Sequence, residues 1–279
     1  MDYLSFFGLS SKAFANVCDP EFYYEGYDHI EALNRLIYLV EEGNMGFGVL
    51  TGEIGCGKTM TRQVFKSRLD PDTFSVVDFD NSSLDFPYIL YEVVLQLSDG
   101  DMDPELTPEK PYFLVKAFEY YVQHRNAKLG RNTVLILDEA QLLNDHSLIE
   151  LKNLTNINSH LSNPLTIVLV GQPELRDQIK GLPPLDQRVS LRFHLNPLSA
   201  KDVQGYIEQR LRVVGHSTGD LFDFSAIEAL TAHTGGIPRE VNRACQLCLH
   251  FAAAQNRDRV DNEIMEGVIQ DLKRQQGEI

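Results

Sequence analysis

One glycine-rich segment constrains the fold of this chain more than any other feature of its sequence. It reads Gly52-Glu53-Ile54-Gly55-Cys56-Gly57-Lys58-Thr59 and follows an apolar run at residues 46–51 that has the length of a buried β-strand. A helical pattern begins after the last glycine and continues to residue 69. A strand, a glycine-rich turn and a helix in this order are typical of parallel α/β folds, where such turns lie at the carboxyl end of the strand.

The same segment is suited to bind phosphate groups. Glycines allow backbone N–H groups to point into the loop, and the N-terminus of the following helix adds a favourable dipole. The Lys58 ammonium would reach the β- and γ-phosphates of a nucleotide, and the Thr59 hydroxyl would bind magnesium. The sequence therefore predicts ATP and Mg²⁺ as ligands. The predicted nucleotide-binding residues of this segment are Gly52, Glu53, Ile54, Gly55, Cys56, Gly57, Lys58, Thr59 and Met60.

Strands and helices alternate over the first two thirds of the chain. The predicted strands are residues 46–51, 74–79, 133–137, 165–170 and 191–195. The predicted helices around them are residues 29–42, 58–69, 86–97, 112–129 and 145–161. Because the strands are apolar on both faces, we expect a five-stranded parallel sheet sandwiched by helices, as in P-loop NTPases.

The pattern changes to helices only from Pro197 onwards. These predicted helices are residues 200–214, 225–234, 237–256 and 261–275. We therefore predict two domains. The first is an α/β nucleotide-binding domain at residues 1–196, which begins with an irregular, aromatic lead-in at residues 1–30. The second is an all-helical lid domain at residues 197–279.

Two acidic residues follow the predicted strand at residues 133–137. Asp138 at the carboxyl end of that strand is suited to hold the magnesium ion of a P-loop nucleotide. Glu139 comes next and is suited to polarise a water molecule for attack on the γ-phosphate. The alternative is an ordinary acidic helix cap, which the preceding phosphate loop makes the weaker interpretation.

Two further polar positions follow the next strand. Gln172, directly after residues 165–170, could contact the γ-phosphate or the attacking water, although a simple loop start is an alternative. Arg188 and Arg192 lie farther on, poorly placed for the nucleotide of their own chain but suited to that of a neighbouring subunit. We favour Arg188 as such a trans-acting arginine and Arg192 as the second choice, with surface ion pairs as the alternative for both.

A last candidate lies at the start of a helix in the predicted lid domain. Gly235 and Gly236 form a turn, Pro238 suits the first helical turn, and Arg239 projects from the helix start. Arg239 could therefore reach the nucleotide and couple the position of the lid domain to ATP. An ordinary exposed arginine is the alternative interpretation.

These motifs together resemble the AAA+ superfamily and, more narrowly, the ExeA/GspA-like ATPases, which are related to the MuB and TnsC transposition ATPases. The narrower resemblance includes the amino-terminal segment and extends over the whole chain. The residues that carry it are Tyr3-Leu4-Ser5-Phe6-Phe7-Gly8-Leu9, Phe14, Asp19-Pro20-Glu21-Phe22-Tyr23-Tyr24, His29, Ala32-Leu33, Leu36, the phosphate loop, Asp138-Glu139-Ala140-Gln141, Gly171-Gln172-Pro173-Glu174-Leu175, Gly236, Pro238-Arg239 and Asn242.

The resemblance implies an ATPase that works as an oligomer, as a ring or a filament formed or stabilised by ATP. It also implies Arg188 as the trans-acting arginine, Arg239 as the sensor in the lid domain, and an aromatic amino-terminal segment near the adenine. Two positions depart from the family pattern. Ala13 stands where relatives tend to carry proline, and Cys56 where they tend to carry threonine or another small residue.

Charge and hydropathy restrict the environment and the partners. The net charge is −15, whereas proteins that bind mainly the phosphate backbone usually carry a basic surface, so DNA and anionic membranes are disfavoured. No apolar stretch approaches the roughly 18 residues of a transmembrane helix. Four cysteines without a disulfide pattern and no export signal indicate a cytoplasmic protein. A partner could hold it at the inner membrane.

Three functional hypotheses follow. The first is an ATPase that hydrolyses ATP to drive or regulate assembly of a protein machinery, of the secretion, pilus or polysaccharide-export type. The alternative is an ATP-dependent DNA-binding transposition regulator of the MuB/TnsC type, for which a basic pore stripe would be expected. A third hypothesis is a nucleotide switch that hydrolyses ATP slowly and signals by its conformation.

Overall fold

The computed structural model describes residues 2–43, 45–80, 83–156 and 164–277. Its strands are β1 (Phe47–Gly52), β2 (Phe74–Phe79), β3 (Asn132–Leu137), β4 (Leu165–Gly171) and β5 (Val189–Leu195). Its α-helices are α1 (Tyr3–Phe7), α2 (Tyr27–Glu41), α3 (Lys58–Arg68), α4 (Phe86–Leu97), α5 (Pro111–Leu129), α6 (Asp145–Leu154), α7 (Glu174–Lys180), α8 (Pro183–Asp186), α9 (Ala200–Val213), α10 (Phe224–Thr234), α11 (Pro238–Ala254) and α12 (Asn262–Gln276). Short 3₁₀ helices lie at Pro20–Phe22 and Ala140–Leu142.

The five strands form one parallel sheet in the order β2-β3-β4-β1-β5. The predicted parallel five-stranded sheet with surrounding helices is therefore confirmed. Because β4 lies between β3 and β1, the carboxyl ends of these three strands meet at one edge of the sheet. β1 and β4 are buried along their whole length, which explains why their sequences are apolar at almost every position.

The chain divides into two compact units. One, here called the sheet unit, comprises Glu31–Ile54 and Thr61–Leu195 and contains the whole sheet. Its core joins the strands to the helices packed on them, with Phe47, Phe118 and Leu135 fully buried. The edge strand β5 alternates between more and less exposed residues, as expected for a strand with one neighbour.

The other, here called the helical unit, comprises Met1–Ile30, Gly55–Met60 and Asn196–Ile279. The expected helices after Pro197 are present as α9 to α12. Their core also contains Tyr3, Phe14 and Phe22 of the amino-terminal segment. Residues 1–30 thus group with the carboxy-terminal helices and not with the sheet. The predicted division into two domains between residues 196 and 197 stays a prediction.

Several local predictions differ from the structure. Residues 1–30 contain α1, whose end is capped by Gly8 in the left-handed region with its N–H donated to the Leu4 carbonyl, so this segment is not wholly irregular. Helix α6 ends at Leu154, where the Thr155 hydroxyl donates to the Lys152 carbonyl at 2.8 Å. The predicted extension of that helix over residues 157–161 lies outside the described residues.

The part of the chain that the structure describes contains no helix with both the length and the apolar character needed to cross a membrane.

Candidate functional site

The carboxyl edge of the sheet brings together three of the predicted site positions. Gly52 ends β1, Asp138 directly follows β3, and Gln172 directly follows β4. The register places Thr51 opposite Gly171, so the ends of β1 and β4 are adjacent. This is the edge at which ligands bind in open parallel sheets.

Asp138 is held at this edge by a buried charge cluster. Its side chain is buried, and its backbone N–H donates to the Phe79 carbonyl at 3.0 Å. Arg62 of α3, also buried, has its Nε 3.5 Å from Asp138 Oδ2 and its Nη1 3.0 Å from Asp78 Oδ1. Arg62 also pairs with Asp80. One arginine therefore orders the acidic groups at the ends of β2 and β3.

The charge of Arg62 is stable in this cluster. Burial alone would lower its pKa, but the hydrogen bond to Asp80 and the charges of Asp138 and Asp78 outweigh burial and raise the pKa. Arg62 was not predicted as a site residue. It lies on the helix that follows the phosphate loop. Its acidic partners lie in or directly after β2 and β3, and the sequence alone does not show that these strands are neighbours.

Glu139 lies beside Asp138 in a constrained backbone conformation. Its φ of 52° is in the left-handed region, which is uncommon for a residue with a side chain. Its N–H donates to Asp138 Oδ1 at 2.9 Å. Gln141 Nε2 donates to Glu139 Oε2 at 2.6 Å, and Gln172 Nε2 lies 3.4 Å from the same oxygen. The structure therefore brings Glu139 and Gln172 together and adds Gln141, which the sequence prediction missed.

The phosphate loop from Gly55 to Met60 belongs to the helical unit. Gly55 and Gly57 have φ values of 85° and 97°, a backbone conformation that favours glycine. Lys58 is only 6% exposed, and Thr59 is partly buried. Met60, which was predicted as a nucleotide-binding residue, packs against the hydrophobic core of the helical unit.

His29 supports this loop from the start of α2. Its Nε2 lies 3.3 Å from the Cys56 carbonyl oxygen, so the ring donates a hydrogen bond in the tautomer that carries its proton there. A Cβ atom at Gly57 would lie 3.1 Å from the same nitrogen, so the loop passes very close to the ring. His29 is buried, and burial lowers its pKa. The ring is therefore a neutral support for the loop.

Arg239 contacts the same loop. It lies in the first turn of α11, and its N–H donates to the Gly55 carbonyl at 3.3 Å. A Cβ atom at Gly55 would lie 2.8 Å from Arg239 Cβ, so only glycine allows this approach. The preceding turn is equally tight, because a Cβ atom at Gly236 would lie 2.0 Å from the Leu198 carbonyl oxygen. The predicted sensor arginine is thus anchored to the phosphate loop through its backbone.

The remaining predicted residues lie apart from these contacts. Glu53 and Ile54 are exposed, and Gly52 is required by packing, since a Cβ there would lie 2.6 Å from the Leu195 carbonyl oxygen. Arg188 is exposed, with a hydrogen bond of 3.3 Å to Asn156. Arg192 instead forms an ion pair of 2.7 Å with Asp186.

Comparison with known proteins places this geometry in a family. Residues 41–179 match the AAA domain family. The chain is 34% identical over 262 residues to General secretion pathway protein A of Aeromonas hydrophila. The aligned region covers 92% of this chain and 46% of that protein. The chain therefore spans less than half of the length of this relative.

Solved structures show the same fold at low sequence identity. The ORC2 protein of Aeropyrum pernix superposes with a TM-score of 0.68 at 16% identity, over 94% of this chain and 71% of that one. The RuvB Holliday junction branch migration motor of Thermotoga maritima gives a TM-score of 0.59 at 17% identity, over 90% of this chain and 70% of that one. On the AAA domain match and the 34% identity to General secretion pathway protein A, the chain belongs to the AAA+ P-loop proteins and, within them, to the ExeA/GspA-like family.

Proposed function

We propose that this chain hydrolyses Mg-ATP and uses the cycle to drive or regulate assembly of a protein machinery of the secretion, pilus or polysaccharide-export type. The observation that carries the hydrolytic part is the Glu139 carboxylate, which lies at the carboxyl edge of the sheet beside Asp138 and is bonded by two side-chain amides. A carboxylate held in this way is suited to orient a water molecule and accept its proton.

Each predicted residue has a distinct part in this proposal. Backbone N–H groups of residues 52–60 and the Lys58 ammonium bind the phosphates, and Arg239 responds to the γ-phosphate from the helical unit. The Thr59 hydroxyl and the Asp138 carboxylate would hold Mg²⁺, which neutralises charge on the β- and γ-phosphates.

Glu139 then accepts the proton of the water that attacks the γ-phosphorus, and the bond from the γ-phosphorus to the β,γ-bridging oxygen breaks. Gln172 donates to the γ-phosphate or to that water. Arg188, supplied by a neighbouring subunit, stabilises the charge that develops on the transferred group. Its exposure and its long hydrogen bond to Asn156 within the described residues support this role over that of Arg192, whose guanidinium is already paired with Asp186.

The name of the Aeromonas relative supports the secretion part of the proposal, and protein partners fit the acidic composition of this chain. A homo-oligomer, as a ring or filament, follows from the trans role of Arg188. A cytoplasmic location, with peripheral attachment to the inner membrane through a partner, is part of the same proposal. A net charge of −15 disfavours the DNA-binding alternative.

Sedimentation velocity combined with phosphate release tests this proposal. Wild type and Glu139→Gln are compared without nucleotide, with Mg-ADP and with Mg-ATP. We expect larger species in Mg-ATP, most persistent for Glu139→Gln, and phosphate release from wild type only. Equal phosphate release by the two proteins, or a monomer under every condition, would refute the corresponding half of the proposal. Salt-sensitive retention of DNA in Mg-ATP would favour the alternative.

A further inference from the structure

Gln141 connects two functional positions across the sheet edge. It lies in the 3₁₀ helix Ala140–Leu142 that follows β3 and Glu139. Its Nε2 donates to Glu139 Oε2 at 2.6 Å, and its Oε1 accepts from the backbone N–H of Gln172 at 3.0 Å. A single side-chain amide therefore links the residue after β4 to the carboxylate after β3.

The two partners fix the orientation of this amide. A backbone N–H can only donate, so Gln172 requires an acceptor at Gln141, and a carboxylate requires a donor. Glutamine meets both requirements in one orientation, whereas glutamate would place a second carboxylate beside Glu139. The side chain fits because residue 171 is glycine: a Cβ there would lie 2.7 Å from Gln141 Oε1.

The hydrogen bonds act on one oxygen of the Glu139 carboxylate. Gln141 donates to Oε2 at 2.6 Å, and Gln172 Nε2 lies 3.4 Å from the same atom. Hydrogen bonds to an ionised group are shorter and stronger than neutral ones, and two donors on one oxygen restrict rotation of the carboxylate. The other oxygen, Oε1, is then presented in a fixed direction.

We propose that Gln141 is a positioning residue for ATP hydrolysis, which holds Glu139 so that Oε1 meets the attacking water. This inference rests on the proposed role of Glu139. Gln141 itself touches neither nucleotide nor water in this account. Its removal should therefore affect the chemical step and leave nucleotide binding intact, because the phosphate loop and Lys58 belong to other parts of the chain.

Steady-state kinetics of four single variants and one double variant test the proposal. Gln141→Met keeps the length of the side chain without its amide, and Gln141→Glu replaces the donor by a second carboxylate. Gln204→Ala is the matched control, because Gln204 also donates from its amide to a glutamate, Glu208, at 2.8 Å, but on the exposed surface of α9. Glu139→Gln reports on the proposed function itself. Binding of a fluorescent ATP analogue and thermal unfolding are measured on each variant.

We expect Gln141→Met to lower kcat by about 10-fold or more, as for a lost hydrogen bond to a charged group, with unchanged analogue affinity. Gln141→Glu should lower kcat further, and Gln204→Ala should behave as wild type. In the Glu139→Gln background, Gln141→Met should cause no additional loss, because its effect acts through Glu139. A purely structural role would instead lower both backgrounds equally.

Three outcomes overturn the proposal while Glu139→Gln keeps its slowed turnover. They are a Gln141→Met kcat within about twofold of wild type, an equal loss of kcat and analogue affinity, and an additional loss in the double variant. Full turnover by Glu139→Gln would instead refute the proposed role of Glu139. If Gln141→Met lowers the unfolding midpoint, Gln141→Glu, which keeps the acceptor for the Gln172 N–H, decides between the same outcomes.

Discussion

At the scale of single residues, Lys58 is the predicted cationic ligand of the phosphates. It lies at the start of α3, directly after the glycines of the phosphate loop, and its ammonium carries a charge opposite to that of a triphosphate.

Lys58→Ala should therefore weaken ATP binding by about 100-fold or more, in line with the loss of one partner of a buried charge pair. Titration with a fluorescent ATP analogue measures this. Lys66→Ala is the matched control, because Lys66 lies farther along α3, is largely exposed and pairs with Asp78. Unchanged affinity in Lys58→Ala would refute its assignment as a phosphate ligand.

A second residue-scale prediction concerns pH and His29. Burial lowers the pKa of His29, against the opposing effects of the Cys56 carbonyl and the charges of Asp28 and Asp202. In the unfolded chain His29 has an ordinary histidine pKa of about 6.5. As the pH is lowered, His29 therefore binds a proton at a higher pH in the unfolded chain than in the folded chain. Stability associated with His29 is fully present above that pH and is lost as the pH falls through the lowered folded pKa.

Thermal unfolding between about pH 7.5 and pH 5 measures this effect. His29→Gln keeps an amide donor for the Cys56 carbonyl and removes the titration. We expect its unfolding midpoint to fall less than that of wild type as the pH is lowered. The same fall in both proteins would show that other groups account for the acid sensitivity.

At the scale of helices and strands, α3 supplies the arginine of the charge cluster at the sheet edge. Arg62 faces the buried Asp138, the partly buried Asp78 and the exposed Asp80. Without the arginine, Asp138 and Asp78 would lose a buried cationic partner, although Lys66 would still pair with Asp78.

Arg62→Met should therefore destabilise the protein by about 3–5 kcal/mol, as when one partner of a buried ion pair is removed. Urea unfolding measures this change. Arg68→Met, at the last position of the same helix, is the control for loss of a helical arginine. A loss below about 1 kcal/mol would mean that the cluster is much better hydrated than its burial indicates.

The same elements explain how far the sequence could predict the fold. β1, β3 and β4 were predictable because central strands of a parallel sheet are apolar on both faces. The start of β5 at Val189 was missed, since an edge strand alternates and its first residues look like a loop. The end of α6 at Leu154 was missed because the sequence directly after it contains no glycine or proline that would signal the end of a helix.

The candidate site was predictable where its chemistry is local and not where it depends on pairing between distant segments. Asp138 and Glu139 follow a strand that is recognisable in the sequence, so their position at the end of that strand could be predicted. Gln141 also bonds to Gln172, 31 residues away, and Arg62 pairs with Asp78 and Asp138, and these contacts depend on the order of the strands. The buried Arg210 is a similar case in the helical unit, with its Nε 2.7 Å from the Ala13 carbonyl oxygen, almost 200 residues away.

At the scale of the whole molecule, the proposal requires neighbouring subunits. Arg188 is exposed and bonded only to Asn156 among the contacts of the described residues, so its guanidinium is accessible to another copy. Arg192 has a short ion pair with Asp186 and is the natural control.

Arg188→Ala should leave ATP binding unchanged and lower turnover by about 1000-fold in the assembled state, as for an arginine supplied in trans. Turnover measured over a range of protein concentrations tests this, with Arg192→Ala expected to retain most activity. Equal loss in dilute monomer and in the assembled state would assign Arg188 a role within its own subunit.

Single-turnover hydrolysis of γ-labelled ATP by preformed assemblies tests the central claim most directly. If Glu139 accepts the proton of the attacking water, Glu139→Gln should retain bound ATP and release phosphate about 100-fold more slowly than wild type, or slower still. Phosphate release by Glu139→Gln at a rate within about threefold of wild type would contradict the claim.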